Sequence, residues 1–217
     1  MLSYFVLDLF SYSICLAGII GLVRYKKIIK PYKPFFIFVW GGCVAEMIST
    51  LFVVFNKNNI APINIYMLIE SLLILYIFHS WSGAATKKNF WWLSALMLVL
   101  WVTDNLIIHS INNVNSFFRI GYSFVTVFLS VDQVNNMVVR ERKSILRNAR
   151  FIICLTFIVY YTYKATFEVF FVVKLPLSDY FYKNLFLIMV YVNLFANLLY
   201  AFASLWIPTR QKFTLPY

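Results

Sequence analysis

The sequence predicts an all-α integral membrane protein, built as a bundle of seven transmembrane helices. The chain of 217 residues is 62% hydrophobic and only 12% charged, and no compact soluble fold has enough interior to hide that much apolar surface. Apolar runs of about 20 residues, the length of a helix that crosses a bilayer, recur along the whole chain. These runs lack the alternation of barrel strands, so we expect helices.

Seven runs define the expected spans and leave no room for a separate folded domain. We expect the spans at residues 4–23, 34–55, 63–81, 90–110, 116–139, 151–173 and 180–206. A single membrane domain over residues 1–217 is therefore predicted. The first run has neither a basic segment before it nor a small-residue cleavage pattern, so we expect it to remain as the first helix. All six prolines fall in loops or at span ends, which predicts helices without proline kinks.

Basic residues predict how the bundle is oriented. Most of them follow the first, third, fifth and seventh spans: Arg24, Lys26, Lys27, Lys30 and Lys33, then Lys87 and Lys88, then Arg140, Arg142, Lys143, Arg147 and Arg150, then Arg210 and Lys212. Positive loops stay in the cytoplasm, so we expect the amino terminus outside and the carboxyl terminus inside. This placement explains the net charge of +11 without a nucleic-acid partner. The basic loop at 140–150 is a topology signal, and docking of anionic lipid or a cytoplasmic protein is the alternative.

An internal similarity relates the two ends of the chain. NIYMLIE, starting at Asn64 in the third span, resembles NLFLIMV, starting at Asn184 in the seventh, and LFVVF ending the second span resembles VFFVV ending the sixth. Because four spans separate the copies, two triplets of equal orientation would be joined by the fourth span, in a 3+1+3 plan of parallel repeats. Chance similarity among apolar segments is the alternative. The plan resembles SWEET-type sugar and PnuC-type vitamin transporters in layout only, since the Pro-Gln signature of the former is missing.

Six ionisable side chains in the middle or outer half of the spans form the candidate ligand site. They are the carboxylates Glu46, Glu70, Asp104 and Glu168 and the cations Arg119 and Lys164. Charges at that depth are costly and must face protein or trapped water. Since the acids outnumber the cations, we expect the surplus acids to hold a proton, bind a cation or contact water. A structural ion-pair network that fixes helix register is the alternative.

Uncharged polar residues extend this candidate site. The fifth span carries a polar stripe at helical spacing, expected to line a cavity or a packed polar interface: Arg119, Ser123, Thr126, Ser130 and Gln133. Tyr161 shares a face with Lys164 in the sixth span, and Asn193, Asn197 and Tyr200 share a face in the seventh. The predicted secondary lining consists of Ser123, Thr126, Asn193 and Asn197.

The sequence contains none of the common catalytic motifs considered below, and we predict neither a cofactor nor a metal. The two histidines, His79 and His109, are expected near opposite membrane faces, which disfavours a catalytic zinc site. No Gly-x-Ser-x-Gly elbow, His-Glu-x-x-His pair or glycine-rich phosphate loop is present. The three cysteines show neither a disulfide framework nor a metal-binding spacing. The question of an enzyme stays open, with the sequence leaning against it.

Three functional hypotheses follow. The leading one is a plasma-membrane binding module, similar to a sensor or receptor, with an outward-opening polar cavity for a small ligand or cation. The rival is a small solute or ion transporter, which the parallel repeats and a polar cluster around Asp132 favour and the lack of broken helices disfavours. The third is a structural subunit of a membrane complex. It is favoured by the 20% aromatic content and by Gly41, Ala45 and Ser49, a small-residue ladder that favours close helix packing.

Overall fold

The computed structural model is all-helical and describes residues 10–55, 57–81, 87–140, 147–173 and 178–209. Within this part of the chain there are seven α-helices: α1 (Ile14–Arg24), α2 (Lys33–Val54), α3 (Ile60–Trp81), α4 (Lys87–Val102), α5 (Ser116–Arg140), α6 (Ala149–Val173) and α7 (Asp179–Trp206). Two 3-10 turns, Tyr25–Lys27 and Lys30–Tyr32, join α1 to α2, and α4 continues as a π-helix, Thr103–Ile108. The helices agree closely with the predicted spans, of which residues 4–9 lie outside the described ranges.

Five helical segments of the described chain are long and apolar enough to cross a membrane. They are Lys30–Val54, Ile60–Trp81, Phe90–Ile108, Ala149–Val173 and Asp179–Trp206. Large apolar side chains are exposed on the outside of the bundle, including Ile107 at 71% and Trp92 at 74%, and lipid is the solvent that accommodates them. Helix length and hydropathy therefore make this a multi-pass membrane protein.

Two of the seven predicted spans are not among these five. Helix α5 has a more polar sequence than the others, because Arg119, Asp132 and several hydroxyl side chains interrupt its apolar residues. The described part of α1 has only 11 residues, which is shorter than a bilayer crossing requires. Seven crossings therefore remain a prediction, while five segments meet the criteria for spans.

The helix ends follow from local sequence. Pro34 and Pro62 lie in the first turns of α2 and α3, where the missing N–H has no helical partner to lose. Ser178 precedes α7, and its Oγ accepts a hydrogen bond from the Phe181 N–H at 3.3 Å. This is the geometry of an N-cap. None of the described helices contains a proline beyond its first turn, in agreement with the sequence prediction.

Six helices close into a ring around the interior. Helix α1 packs against α2 and α7, α2 against α3, α3 against α5, α5 against α6, and α6 against α7; α4 lies against α3 and α5. Aromatic rings of α2, α3, α6 and α7 meet inside this ring, with centroids 5.7–5.9 Å apart: Phe38, Phe78, Phe157 and Tyr200. Such tilted and edge-to-face arrangements stabilise aromatic clusters. The cluster fixes the relative positions of the helices that contribute the polar site.

Glycines of α1 and α2 allow these two helices to approach closely. A Cβ atom on Gly42 would lie 2.5 Å from Ile14 Cδ1, and one on Gly21 would clash with the ring of Phe36. Gly41, which starts the predicted ladder, is different, since a Cβ atom on it would have its nearest neighbour 3.6 Å away. Close packing of α1 and α2 therefore involves Gly21 and Gly42, whereas a Cβ atom on Gly41 would make ordinary van der Waals contact with α3.

Arg24 ties α1 to the end of α7. Its guanidinium donates hydrogen bonds to the carbonyl oxygens of Ser204, Leu205 and Ile207 at 2.6, 2.7 and 3.0 Å. The last carbonyl groups of a helix lack intrahelical donors, so a guanidinium at this point satisfies them. Its positive charge also interacts favourably with the negative end of the helix dipole. The ring of helices is thus closed at this end by a side chain of its first member.

Two arginines near the start of α6 also have structural contacts. Arg147 Cζ lies 5.7 Å from the centroid of the Trp206 ring, and Arg150 Cζ lies 5.5 Å from that of Tyr32. These are cation–π contacts. Residues 141–146 of the basic loop lie outside the described ranges, so docking of lipid or protein there stays a prediction.

Candidate functional site

The six predicted ionisable residues fall into two groups with different surroundings. One group lines a cavity of about 190 Å³: Glu46, Glu70 and Lys164. The other group is not in the described lining of that cavity and forms separate hydrogen-bonded contacts: Arg119 with Glu168, and Asp104 with the start of α5. The sequence placed all six in one site, and the tertiary structure brings only half of them to the cavity.

The cavity lies between α1, α2, α3, α6 and α7. Its polar lining consists of Ser11, Glu46, Ser49, Tyr66, Glu70, Tyr160, Lys164, Asn193, Asn197 and Tyr200. Two of the four predicted secondary residues, Asn193 and Asn197, therefore border the cavity. An engineered protein cavity of about 150 Å³ holds a benzene molecule, so this one accommodates a small organic group.

Glu70 is the centre of the cavity's hydrogen-bonded wall. Its Oε1 accepts from the Tyr161 hydroxyl at 2.8 Å, and its Oε2 accepts from the Tyr122 hydroxyl at 2.7 Å. Lys164 Nζ lies 3.3 Å from the same Oε2. A buried carboxylate is tolerated when it is paired and hydrogen-bonded in this way. Three helices, α3, α5 and α6, are joined through this one carboxylate.

Lys164 is held among tyrosine rings. Its Nζ lies 5.0 Å from the ring centroid of Tyr122 and 5.5 Å from those of Tyr160 and Tyr161. The ammonium also hydrogen-bonds to the Tyr122 hydroxyl oxygen. The residue is only 6% exposed, and the aromatic faces and Glu70 replace the water that the ammonium has lost. Lys164 thus has a fixed position at the edge of the cavity.

Tyr200 of α7 brings an unpartnered polar atom to the cavity. The residue lines the cavity and is 3% exposed. Its hydroxyl is buried and has no hydrogen-bond partner among the described residues. A buried polar group left unsatisfied costs about 1–3 kcal/mol. A ligand that hydrogen-bonds to this hydroxyl would remove that cost.

Glu46 adds a second carboxylate to the cavity lining. It lies on α2 one turn before Ser49, whose Oγ accepts a hydrogen bond from Asn59 Nδ2 at 2.7 Å. With Glu70 and Lys164 it makes the described ionisable lining two carboxylates and one ammonium. Glu46 also has a partner within the protein. The predicted imbalance between acids and cations stays a prediction.

Arg119 and Glu168 form a second ion pair that is closed by other protein groups. Arg119 Nη1 lies 3.0 Å from Glu168 Oε1, and the Ser116 hydroxyl donates to Glu168 Oε2 at 2.5 Å. Arg119 Nη2 donates to Asn64 Oδ1 at 3.0 Å. The Asn64 amide in turn donates to two backbone carbonyls of the loop at residues 111–113. Both oxygens of Glu168 have donors within the protein, so this pair serves to join α3, α5, α6 and that loop.

Asp104 caps the start of α5. The residue lies in the π-helix and is 2% exposed. Its Oδ2 accepts from the Phe118 backbone N–H at 2.7 Å, and its Oδ1 lies 2.9 Å from His109 Nδ1. The first backbone N–H groups of a helix need such acceptors. A carboxylate there also interacts favourably with the positive end of the helix dipole. The predicted ligand residue Asp104 thus has its hydrogen-bonding capacity occupied by the protein.

The polar stripe of α5 does not line the cavity. Ser123 and Thr126 are buried, and their hydroxyls donate to backbone oxygens of the preceding turn, those of Arg119 and Tyr122, at 2.6 and 2.8 Å. Ser130 bonds to the oxygen of Thr126 in the same way at 2.7 Å. Hydroxyl groups bonded to their own helix have no need of water or ligand. The stripe is part of the buried face of α5, the packed interface that was the alternative prediction.

Sequence reasoning missed the tyrosine that links α5 to the cavity wall. Tyr122 contacts both Glu70 and Lys164, yet the chain has 15 tyrosines and none of its neighbours marks this one. Its spacing of three residues from Arg119 was the available signal, since residues so spaced share a helix face. Asn64 was noted for the repeat alone, although it binds Arg119 and the loop.

The described ranges contain no cluster of metal-ligating side chains. No group of three or more His, Cys, Asp or Glu side chains is placed there to hold a metal ion. His109 belongs to the Asp104 cap. The ring of His79 packs 4.6 Å from that of Phe90, centroid to centroid.

No protein-family model matches this chain, and neither a curated protein nor a solved structure matches it. The functional argument therefore depends on the geometry of the cavity.

Proposed function

We propose that this protein is a seven-helix binding module of the plasma membrane, similar to a sensor or receptor, whose outward-facing cavity binds a small ligand or cation. The observation that carries the proposal is the buried Tyr200 hydroxyl, which has no partner among the described residues and belongs to the same cavity as Glu46, Glu70 and Lys164. Other buried polar atoms of the described chain, such as Arg119 Nε, also lack a partner, but the Tyr200 hydroxyl is the one that belongs to this cavity, where a ligand could reach it.

The chemistry of the lining favours a positively charged ligand group. The carboxylates of Glu46 and Glu70 line the cavity, and the hydroxyl-bearing rings of Tyr66, Tyr160 and Tyr200 surround the same space. Carboxylates and aromatic faces both attract cations, most strongly where water is excluded. In this proposal Lys164 holds Glu70 in position, and Glu46 is the carboxylate that meets the ligand.

The positions of the lining residues within their helices support the outward direction. Glu46 and Ser49 lie in the second half of α2, and Ile63 and Tyr66 lie at the start of α3. The basic loops predict that these helix ends face the outside.

Helix α1 is flanked by α2 and α7, and α5 by α3 and α6. Helices so placed inside a ring of spanning segments support a count of seven crossings.

A transporter is the second candidate, and the helix contacts support it. If a two-fold axis relates α1, α2 and α3 to α5, α6 and α7, the contact between α3 and α5 corresponds to that between α7 and α1. Both contacts are present, as a 3+1+3 plan of parallel repeats requires. Near the other membrane face, Asn136 Nδ2 lies 3.2 Å from Asp132 Oδ2. In this candidate the cavity would open alternately to each side.

A binding test separates the site from a structural network. Purified protein in micelles is titrated with ethylammonium chloride, and its thermal unfolding is followed. We expect saturable stabilisation of the native protein, as ligand binding to the folded state requires, and its loss in Lys164→Met and Glu46→Gln. Thr126→Val is the matched control, since it removes a polar group outside the cavity and keeps the volume similar. Equal responses in all four proteins would overturn the proposal.

A flux test separates the module from the transporter. Vesicles that contain the protein and a pH-sensitive dye are given a gradient of an ammonium salt. The binding module leaves the internal pH at the rate of protein-free vesicles. Acceleration that Lys164→Met abolishes would replace the proposal with the transporter.

A further inference from the structure

A groove lies at the end of the bundle where α1 connects to α2, between the start of α2 and the end of α3. It has a volume of about 480 Å³. Its lining includes two ammonium groups, three hydroxyl groups and one large apolar side chain: Lys30, Lys33, Tyr25, Tyr76, Ser80 and Ile37. We call this feature the basic groove. The basic loops predict that it lies on the cytoplasmic side of the membrane.

The two lysines of the basic groove have no carboxylate near them in the sequence. No Asp or Glu occurs at residues 9–45 or at residues 71–103, and these two stretches supply the whole described lining. Lys30 and Lys33 also form no ion pair within the described part of the chain. The described lining therefore carries two positive charges and no negative charge.

Lys33 lies where a cation is unfavourable for its own helix. It is the first residue of α2, and the positive end of the helix dipole repels an ammonium group there. The first turn of α2 contains no acidic residue, and no side chain caps its start. Lys33 Nζ lies 4.8 Å from the centroid of the Tyr25 ring, a cation–π contact within the lining of the groove. An anion bound to Lys33 would offset the repulsion.

Ile37 connects the basic groove to the apolar surface of the bundle. It is 41% exposed, and it lines both the basic groove and an apolar groove of about 680 Å³ that continues between α2 and α3. Trp40 and Val44 line the apolar groove farther along α2. Any lipid chain fits such a surface, because lipid tails are as apolar as the groove. Selection among lipids must therefore come from the two lysines.

We propose that the basic groove binds the phosphate headgroup of an anionic phospholipid, one of whose chains lies along the apolar groove. Basic pockets between transmembrane helices on the cytoplasmic side are typical sites for anionic lipid heads. Phosphatidylcholine has a phosphate too, but it also carries a choline cation, which two ammonium groups repel. The basic groove and the cavity have no lining residue in common, so this inference is independent of the proposed function.

Trp40 provides a reporter for the bound lipid. It lies seven residues after Lys33, which is about 10 Å along the helix. Its Nε1 donates to the Gly18 carbonyl oxygen at 3.1 Å, which fixes the ring. The protein is reconstituted in phosphatidylcholine vesicles, and phosphatidylglycerol with brominated chains, a contact quencher of tryptophan fluorescence, replaces a rising fraction of the lipid. Brominated phosphatidylcholine is the control, and the signal of Trp40 is the part that Trp40→Phe removes.

We expect half-maximal quenching of Trp40 at a much lower fraction of the anionic lipid than of the control lipid. Lys30→Gln/Lys33→Gln should reduce this preference by about 25-fold, since one basic residue near an anionic surface contributes about fivefold. Lys26→Gln/Lys27→Gln is the matched control. It removes the same charge from exposed lysines of the same segment that are not in the described lining, and it should keep most of the preference.

Lys30→Arg/Lys33→Arg keeps both charges and should keep the preference, and circular dichroism shows whether each variant is folded. An equal loss in the two glutamine variants would assign the preference to diffuse surface charge and overturn the inference. Equal quenching by both lipids in the unaltered protein would leave the lysines as a topology signal only, and the inference would fail.

A soluble anion is the remaining alternative occupant. Inorganic phosphate, added at constant ionic strength to keep screening the same, should leave the quenching by phosphatidylglycerol unchanged. Loss of quenching to the level of Lys30→Gln/Lys33→Gln would mean that the groove takes free phosphate, and the lipid would be refuted. Stabilisation by ethylammonium chloride should be the same in all these variants, so failure here leaves the proposed function untouched.

Discussion

The two buried ion pairs of this bundle use similar side chains in different surroundings. Arg119 and Glu168 are 3.0 Å apart and are enclosed by further partners, including the hydroxyl of Ser116. Lys164 and Glu70 are 3.3 Å apart, and both border the cavity. A charged residue in a membrane span is therefore insufficient evidence of a ligand site. The distinguishing feature is the adjacent space, since a buried polar atom without a partner among the described residues occurs in both places, at Arg119 Nε and at the Tyr200 hydroxyl.

The two ion pairs should also differ in what the loss of one partner costs. In the closed pair, removal of one partner leaves a buried charge with neither water nor ligand to replace it. In the pair at the cavity, water or ligand can reach the exposed side of the site. Mutation of the closed pair should therefore change mainly the free energy of unfolding. Mutation of the pair at the cavity should change both ligand affinity and the free energy of unfolding.

The largest effect is expected when the closed pair is broken. Arg119→Met leaves the Glu168 carboxylate buried without its cation and should lower the free energy of unfolding by about 3–5 kcal/mol. Denaturant unfolding in micelles measures the loss, and ethylammonium titration of the folded fraction should be unchanged. In the double variant Arg119→Met/Glu168→Leu we expect partial recovery, because both charges are then absent. Loss of binding at native stability would place this pair in the ligand site.

A smaller loss is expected at the cavity wall. Tyr161→Phe removes the donor to Glu70 Oε1 and should cost about 1–3 kcal/mol, as for a hydrogen bond to a charged group. Tyr163→Phe is the matched control, because the Tyr163 hydroxyl donates to the neutral Leu185 carbonyl oxygen at 3.1 Å. Thermal unfolding of both variants gives the comparison. A greater loss for Tyr163→Phe would contradict the central place of Glu70 in the hydrogen-bonded wall.

The cap of α5 should contribute less. Asp104→Ala removes the acceptor of the Phe118 N–H and should cost about 0.5–2 kcal/mol, the range for helix N-caps. Hydrogen exchange should accelerate at the first amides of α5 and stay unchanged in α7, where Ser178 is the cap. Impaired ethylammonium binding in a folded Asp104→Ala protein would show that this carboxylate contacts the ligand after all.

The smallest change in stability is expected for Tyr200→Phe. No hydrogen bond among the described residues is lost, so the free energy of unfolding should stay constant or rise by up to about 1 kcal/mol. Ethylammonium binding should weaken by about tenfold, the effect of one lost hydrogen bond to a charged group. Destabilisation comparable to that of Tyr161→Phe would mean that the hydroxyl has a structural partner, and the observation that carries the proposed function would fail.

The sequence predicted the helices better than their polar contacts. Spans such as α3 and α6 are recognised from twenty or so apolar residues, because the bilayer demands internally bonded backbone over a known length. Asp104 was taken for a ligand residue because its depth alone suggested a costly charge. In the structure its Oδ2 accepts a hydrogen bond from the Phe118 N–H, a contact between separate helices that hydrophobic patterning does not encode.

Helix spacing specifies the face of a residue but not its neighbour, so the sequence could name candidate residues but not their contacts. Asn193 and Asn197 share a face, and that face meets the cavity. Ser123 and Thr126 also share a face, and theirs is closed by packing and by bonds to its own helix. Both stripes look alike in sequence, because the rotation and neighbours of a helix are set by long-range packing.

What the sequence alone determined is that the chain is helical, that it belongs in a membrane, and that several charges must be sheltered there. Those conclusions need only hydropathy, length and the cost of burying charge. Only the tertiary structure decided which charges are closed off and which border a void. Glu70 and Lys164 meet Tyr122 across three helices, and such contacts depend on the closure of the helix ring, which no single span contains.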